Sequence, residues 1–144
     1  MKKYTASGRL FNACERGELD QMRLAIEDGV DLNDTRSNFY IPLLRTIELD
    51  FKCCPSAVRM FIQAGCNVNL QDATGWTALH IAKYPDIVRI LLESGANPNV
   101  ANLFGHTPCH YAQSVAKLKL LIDFGGDLRV KDNVGGTPFR YCCK

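Results

Sequence analysis

The feature that most constrains this chain is that it repeats itself. Gly75-Trp76-Thr77-Ala78-Leu79-His80 returns as Gly105-His106-Thr107-Pro108-Cys109-His110, and again, altered, as Gly135-Gly136-Thr137-Pro138-Phe139-Arg140. Both steps are 30 residues. A second landmark keeps the same step: Gly65-Cys66-Asn67-Val68-Asn69, Gly95-Ala96-Asn97-Pro98-Asn99, then Gly125-Gly126-Asp127-Leu128. An earlier copy, Gly29-Val30-Asp31-Leu32-Asn33, stands 36 residues before the next. A fixed interval of this size marks an array of small units, none of which buries an apolar face alone. Neighbours must therefore stack.

Each unit reads as helix, turn, helix and a Gly/Asn/Asp turn. In the third unit the first helix is expected over Ala78 to Tyr84, capped by Thr77. Pro85 stops or redirects it. The second helix is expected over Asp86 to Glu93, closed by Gly95. Ile87, Ile90 and Leu91 share a face at helical spacing, and Val88 and Leu92 widen it. The fourth unit sets Leu118, Leu120 and Leu121 where the third has Val88, Ile90 and Leu91. Pro108 takes the first helical position, where its missing N–H costs nothing.

These residues resemble the ankyrin repeat. The family's Thr-Pro-Leu-His signature stands as Thr107-Pro108-Cys109-His110 and Thr77-Ala78-Leu79-His80, with Ile41-Pro42-Leu43-Leu44 a degenerate copy. Leu-Leu-x-x-Gly-Ala-x-x-Asn stands as Leu91-Leu92-Glu93-Ser94-Gly95-Ala96-Asn97-Pro98-Asn99. Leu10-Phe11-Asn12-Ala13-Cys14-Glu15-Arg16-Gly17 is similar to the first helix of an opening repeat. The resemblance implies an all-α ankyrin-repeat solenoid of stacked helix-turn-helix units, a single domain over 1–144. It would hold four full repeats, about 7–34, 35–70, 71–100 and 101–130, plus a partial fifth over 131–144. The fifth stops after its first helix begins. That predicts a cut, a capping half-repeat or a larger protein that continues. Units three and four are three residues short of the family's usual length between their helices. Unit two is long in the same region, around Glu48 to Pro55, and carries Phe39 where the family has Gly. An enlarged, irregular second repeat is the expectation.

The resemblance also implies roles. Thr77, His80, Thr107 and His110 would be structural, the histidines tying neighbouring turns together. Partners would bind the concave face through turn tips and the exposed side of first helices. Carried over by position, the candidates are Asn38, Tyr40, Thr74, Trp76, Lys83, Tyr84, Leu103, Phe104, His106 and Ser114. Trp76 and Phe104 stand out, because a solvent-facing turn tip needs no aromatic for folding, whereas interface hot spots favour them. With Tyr40 and Tyr84 they would form one aromatic patch.

Composition excludes several classes. Apolar residues make up 47% and charged residues 22%, too apolar for a disordered chain. A net charge of +2 argues against a nucleic-acid-binding face. Residues 101–144 carry six basic and three acidic side chains. Lys117, Lys119, Arg129 and Lys131 are expected to make that region mildly positive as a solvated surface, and Glu15, Glu18 and Asp20 to lie on a solvated helix face. Seven cysteines cannot all pair, no CxxC occurs, and no Cys/His set has zinc spacing. Free thiols are the simpler reading, with no metal and no cofactor. The first residues lack the apolar stretch of a signal peptide, and no run is long enough to span a membrane. No nucleophile has a paired base at recognisable spacing, and no GxGxxG or Walker pattern occurs.

The expectation is a non-catalytic protein-protein interaction module, acting as adaptor, inhibitor or regulator inside the cell, in cytoplasm or nucleus, and compatible with host-virus interaction. The alternative is the targeting or substrate-recognition module of a larger enzyme or ligase complex. Homo-oligomers through the stack ends stay open.

Overall fold

A computed structural model of the chain describes residues 5–35, 41–51 and 54–142. Every regular element among these is helical. The chain forms two compact units, residues 1–67 and 68–144.

The first unit holds two helix pairs. Helix α1 (Ala6–Arg16) starts where the Thr5 hydroxyl accepts from the Gly8 N–H at 3.2 Å. It buries Leu10, Ala13 and Cys14, and Gly17 ends it in the left-handed region (φ 68°). Helix α2 (Leu19–Glu27) returns with Met22 and Ala25 buried against α1. Helices α3 (Pro42–Leu49) and α4 (Cys54–Gln63) form the second pair, which packs on the first. Proline opens α3 without loss, since the first N–H groups of a helix have no intrahelical partner. Asp50, with φ 51°, closes α3, the one non-glycine among the described residues with positive φ. Its left-handed turn belongs to the enlarged region around Glu48 to Pro55. The Phe51 ring then lies on Gly17, so close that a Cβ there would sit 2.7 Å from the ring's Cγ.

Glu15 is not left to solvent as expected. Arg45 on α3 grips it with a two-pronged contact, Nε to Oε1 at 2.6 Å and Nη2 to Oε2 at 3.0 Å, and also reaches Glu48. Hydrogen bonding from the guanidinium holds the Glu15 carboxyl below its usual range. Such planar bidentate pairing fixes geometry as well as charge, so α1 and α3 are registered as well as packed.

The second unit is a compressed version of the same plan. Helix α5 spans only Ala78–Ile81, and the matching first helix of the next repeat is a single 3₁₀ turn, Pro108–Tyr111. The second helices keep their length: α6 is Pro85–Glu93 and α7 is Val115–Asp123. Helix α8 (Pro138–Cys142) packs on the 3₁₀ turn. The expected extension of α5 to Tyr84 does not form. Ala82 is already extended (ψ 119°), and Tyr84 is held extended by the proline that follows it. With three residues fewer, the chain crosses to α6 by giving up a helical turn. The core comprises Leu79, Ile87, Val88, Ile90, Leu91 and Leu92, continued by Cys109, Leu120 and Leu121.

One device recurs in both units. In the first, Asn33 Nδ2 donates to the Gly65 carbonyl at 3.1 Å, while its Oδ1 accepts from the Asn67 N–H at 2.7 Å. In the second, Asn69 does the same to Gly95 and Asn97, and Asn99 to Gly125 and Asp127. Each amide satisfies one carbonyl and one N–H of the following Gly/Asn turn. These bonds fix the step from repeat to repeat.

Candidate binding surface

The turn tips of the second unit are built on Asp72, Asn102 and Asp132, one per repeat. Each Oδ1 accepts backbone N–H groups two and four residues on: Thr74 and Trp76, Phe104 and His106, Val134 and Gly136. Such short polar side chains stabilise turns by completing a local ring of bonds. The tips are then joined across repeats. Leu103 N–H donates to the Thr74 carbonyl at 3.0 Å, and Asn133 N–H to the Phe104 carbonyl at 3.1 Å.

Behind the tips sit the paired Thr and His residues. Thr77 N–H donates to His80 Nδ1 at 3.0 Å, and the two residues close a capping box at the start of α5. The other nitrogen, Nε2, lies 2.9 Å from the His106 carbonyl. Thr107 and His110 repeat the arrangement, with Nε2 3.2 Å from the Gly136 carbonyl. A ring nitrogen that accepts an amide N–H carries no proton, so the proton is on Nε2 and the ring is neutral. Burial pushes both histidines below their ordinary pKa.

His106 has a different role. Its Nδ1 is 2.6 Å from the Tyr111 hydroxyl, and its Nε2 is 3.0 Å from Asp132 Oδ2. Tyr141 donates to the same Oδ2 at 2.6 Å. The hydrogen bond from Tyr141 above all, with those from Gly136, Val134 and His106, keeps the Asp132 carboxyl well below the usual carboxylate range. The set has the form of an acid, a base and a hydroxyl in series. Of its hydrogen bonds, His106 to Asp132 joins one repeat's turn to the next, and the other two lie within a repeat.

Around this network runs a row of rings. Trp76 lies 4.5 Å from Tyr111, Tyr111 is 5.1 Å from His106, and His106 is 5.2 Å from Tyr141, centroid to centroid. Phe104 flanks His106 at 6.2 Å. The candidate residues divide accordingly. Tyr84, Leu103 and Phe104 are exposed at 53%, 67% and 55%, and Thr74 and Lys83 are also exposed. Trp76 and His106 are half-buried, with faces or ring nitrogens engaged by neighbours. Ser114 caps α7, its hydroxyl accepting from the Lys117 N–H at 3.1 Å. Asn38, Tyr40 and Phe39 lie outside the described residues, so the aromatic patch is described only within the second unit.

Sequence reasoning did not find Tyr111, Asp132 and Tyr141. Stacking the repeats in register would have shown Tyr twice in one column, 111 and 141. Nor did it place Lys117, which is buried rather than part of a positive surface. Its ammonium donates to the Ala82 carbonyl at 2.6 Å and the His80 carbonyl at 3.3 Å. Those carbonyls belong to the truncated end of α5. Burial pushes the lysine's pKa down to about 8. Cys66 and Cys109 are buried thiols pushed up to about 11, the mark of packing rather than reactivity.

Stacked helix pairs, tied by Thr-His boxes and by an amide at every step, define a helical repeat protein. The chain belongs to the ankyrin repeat family: the family model described as ankyrin repeats (3 copies) matches residues 10–102. No curated protein matches the chain. Ankyrin repeats are generally protein-protein interaction modules and typically non-catalytic.

Proposed function

We propose that this chain is a non-catalytic adaptor, inhibitor or regulator that binds a protein or peptide on its concave face, through the ring row of the second unit. The observation that carries this reading is the exposure of the adjacent Leu103 and Phe104 on a turn tip beside that row, where Phe104 flanks His106. Large apolar side chains on a turn tip add little to the fold, and their clustering favours a partner over chance. The rings beneath are locked by packing and hydrogen bonds, so little ordering is lost on binding.

Half-buried Trp76 is a support for the surface, and its removal would disturb Tyr111. The informative variant is therefore Tyr84→Ala/Phe104→Ala, compared with wild type in affinity capture, followed by titration of whichever protein is retained. The variant should melt as wild type does. A hot-spot role predicts weakening by about 2 kcal/mol or more, roughly thirtyfold. Equal binding by both proteins would remove the ring row from the interface.

A further inference from the structure

His80 is held at two points by the repeat that follows it. Its ring donates through Nε2 to the His106 carbonyl at 2.9 Å, on the turn tip of the fourth repeat. Its own carbonyl accepts from the Lys117 ammonium at 3.3 Å, beside the 2.6 Å bond from Lys117 to the Ala82 carbonyl. Lys117 lies on α7, the second helix of that same fourth repeat. Tip and second helix therefore clamp the end of α5 together.

The ring row rests on the same histidine. The His80 centroid lies 5.6 Å from Trp76 and 6.1 Å from Tyr111, the two rings that pack on each other at 4.5 Å. The His106 carbonyl also accepts from the Asn102 N–H at 2.9 Å, so the bond from His80 reaches the turn that carries Phe104. Packing does not demand a charge at position 117. One repeat earlier the position holds Ile87, which is buried. An isoleucine fills such a site but offers a carbonyl no donor. The lysine adds direction: two charge-assisted hydrogen bonds, stronger than neutral ones, fix the carbonyls at the end of a helix only four residues long.

We propose that Lys117 is a positioning residue for the ring row: through the His80 and Ala82 carbonyls it sets the His80 ring, and with it the stacking of Trp76 on Tyr111 and the seat of the His106 turn. This coupling is a property of the row itself and stands or fails whether or not a partner binds there. It gives the row a pH dependence of its own. The titratable groups facing the ammonium are His80 on α5, which is neutral, and Cys109 on the 3₁₀ turn, whose thiol is pushed up to about 11. Asp86, Arg89 and Glu93 on α6, and Lys119 and Asp123 on α7, are exposed. Lys117 loses its charge near pH 8, before that thiol. The neutral amine bonds the carbonyls more weakly. The row should loosen there even as loss of the buried charge raises the stability of the chain. A lysine that merely filled space would not separate the two.

The chain's single tryptophan reports on the row directly. Emission of the full chain is followed from about pH 7 to about 9.5, with the Trp76 indole and His106 amide signals followed by NMR in parallel. In wild type both should move in one step centred near pH 8. The step should be absent from Lys117→Met and from Lys117→Arg, whose charge persists throughout this range. Lys119→Met, which removes an exposed lysine from the same helix, should keep it. Melts at pH 7 verify which variants fold. The proposal is overturned if wild type shows no step, if the step survives in a folded Lys117 variant, or if Lys119→Met also removes it. The wild-type titration alone tests it if neither Lys117 variant folds.

Discussion

The two units solve one problem in opposite ways. Both must carry the chain from a first helix to a second. The first unit does so with residues to spare: α3 runs eight residues, Asp50 turns left-handed, and Phe51 lies on Gly17. The second lacks those residues and shortens α5 to four. A short helix leaves carbonyls that no turn of its own can satisfy. Lys117, reaching from a helix more than thirty residues away, supplies the donors. Extra length is thus closed by a local turn, and missing length by a long-range charged contact.

The largest effect expected from breaking this contrast is at Lys117. Its lowered pKa represents roughly 3 kcal/mol of unfavourable burial. The two carbonyl bonds offset it, at about 1.5–3 kcal/mol each for a charged donor. Lys117→Ala removes the bonds, the methylenes and the charge together, and should cost about 3 kcal/mol in chemical denaturation. Lys117→Met fills the space and removes the desolvation penalty, so its loss at pH 7 should be smaller. The pH dependence separates the two roles. The lysine binds its proton less tightly folded than unfolded, so stability rises as pH climbs from about 8 to about 10. The raised thiols of Cys66 and Cys109 act in the opposite sense above pH 9. The wild-type curve minus the Lys117→Met curve should therefore rise with pH, and a flat difference would remove the buried ammonium from the account.

Next comes His80. His80→Ala leaves the Thr77 N–H and the His106 carbonyl without their partners, a loss of about 2 kcal/mol. Its folded pKa lies below the unfolded value, so its contribution is complete above about pH 6.5 and is lost as pH falls. An acid midpoint that does not move in the variant would refute this reading.

The positions of these residues were legible to different degrees. The Thr-His pairs recur at one interval and sit three residues apart, so pattern alone located them. The second helices were legible from the spacing of Ile87, Ile90 and Leu91. The end of α5 was not: Ala82 and Lys83 are acceptable helix formers, and only the need to reach Pro85 in an extended conformation stops the helix. Lys117 was not legible either. A single long side chain bridging two repeats leaves no periodic trace, and a lysine in a sequence reads as solvated. In the His106–Asp132–Tyr141 network the Asp and Tyr columns do recur, as Asp72, Asn102 and Asp132 and as Tyr111 and Tyr141, but the His106 column holds Trp76 and Gly136 in its neighbours, so no repeated pattern announces the contact between them. Phe104 stood out because an aromatic residue on a turn tip contradicts the local rule, and it is exposed, whereas Trp76, singled out for the same reason, is half-buried against Tyr111.

A smaller effect is expected on the other side of the contrast, at Gly17→Ala. The backbone there has φ 68°, which costs an L-residue about 1 kcal/mol. The new Cβ would also meet the Phe51 ring at 2.7 Å. Phe51 is half-buried and ends a turn, so it can move away, and the total should stay near 1–2 kcal/mol. The double variant Gly17→Ala/Phe51→Ala separates the terms. If the ring contact matters, the glycine substitution costs less in the Phe51→Ala background. If the two losses simply add, the turn after α3 does not depend on Gly17.

The smallest expected effect is at the Glu15–Arg45 pair, and it tests whether that contact resembles the one at Lys117. Both are charged, and both join successive helix pairs. They differ in solvent: the Arg45 and Glu15 side chains are 38% and 30% exposed, whereas Lys117 is buried. Water and ions weaken the first and not the second. Glu15→Gln should lower the melting temperature less than any variant above, and the difference should shrink in about 1 M salt, where the screening length is about 3 Å. The carboxyl is held below its usual pKa, so the pair contributes above that value and fades as pH falls through the folded one. Salt should leave the Lys117→Ala difference nearly unchanged. Equal salt sensitivity at the two sites would mean that solvent reaches Lys117, and the missing length of the compressed unit would then not be closed by a buried charge.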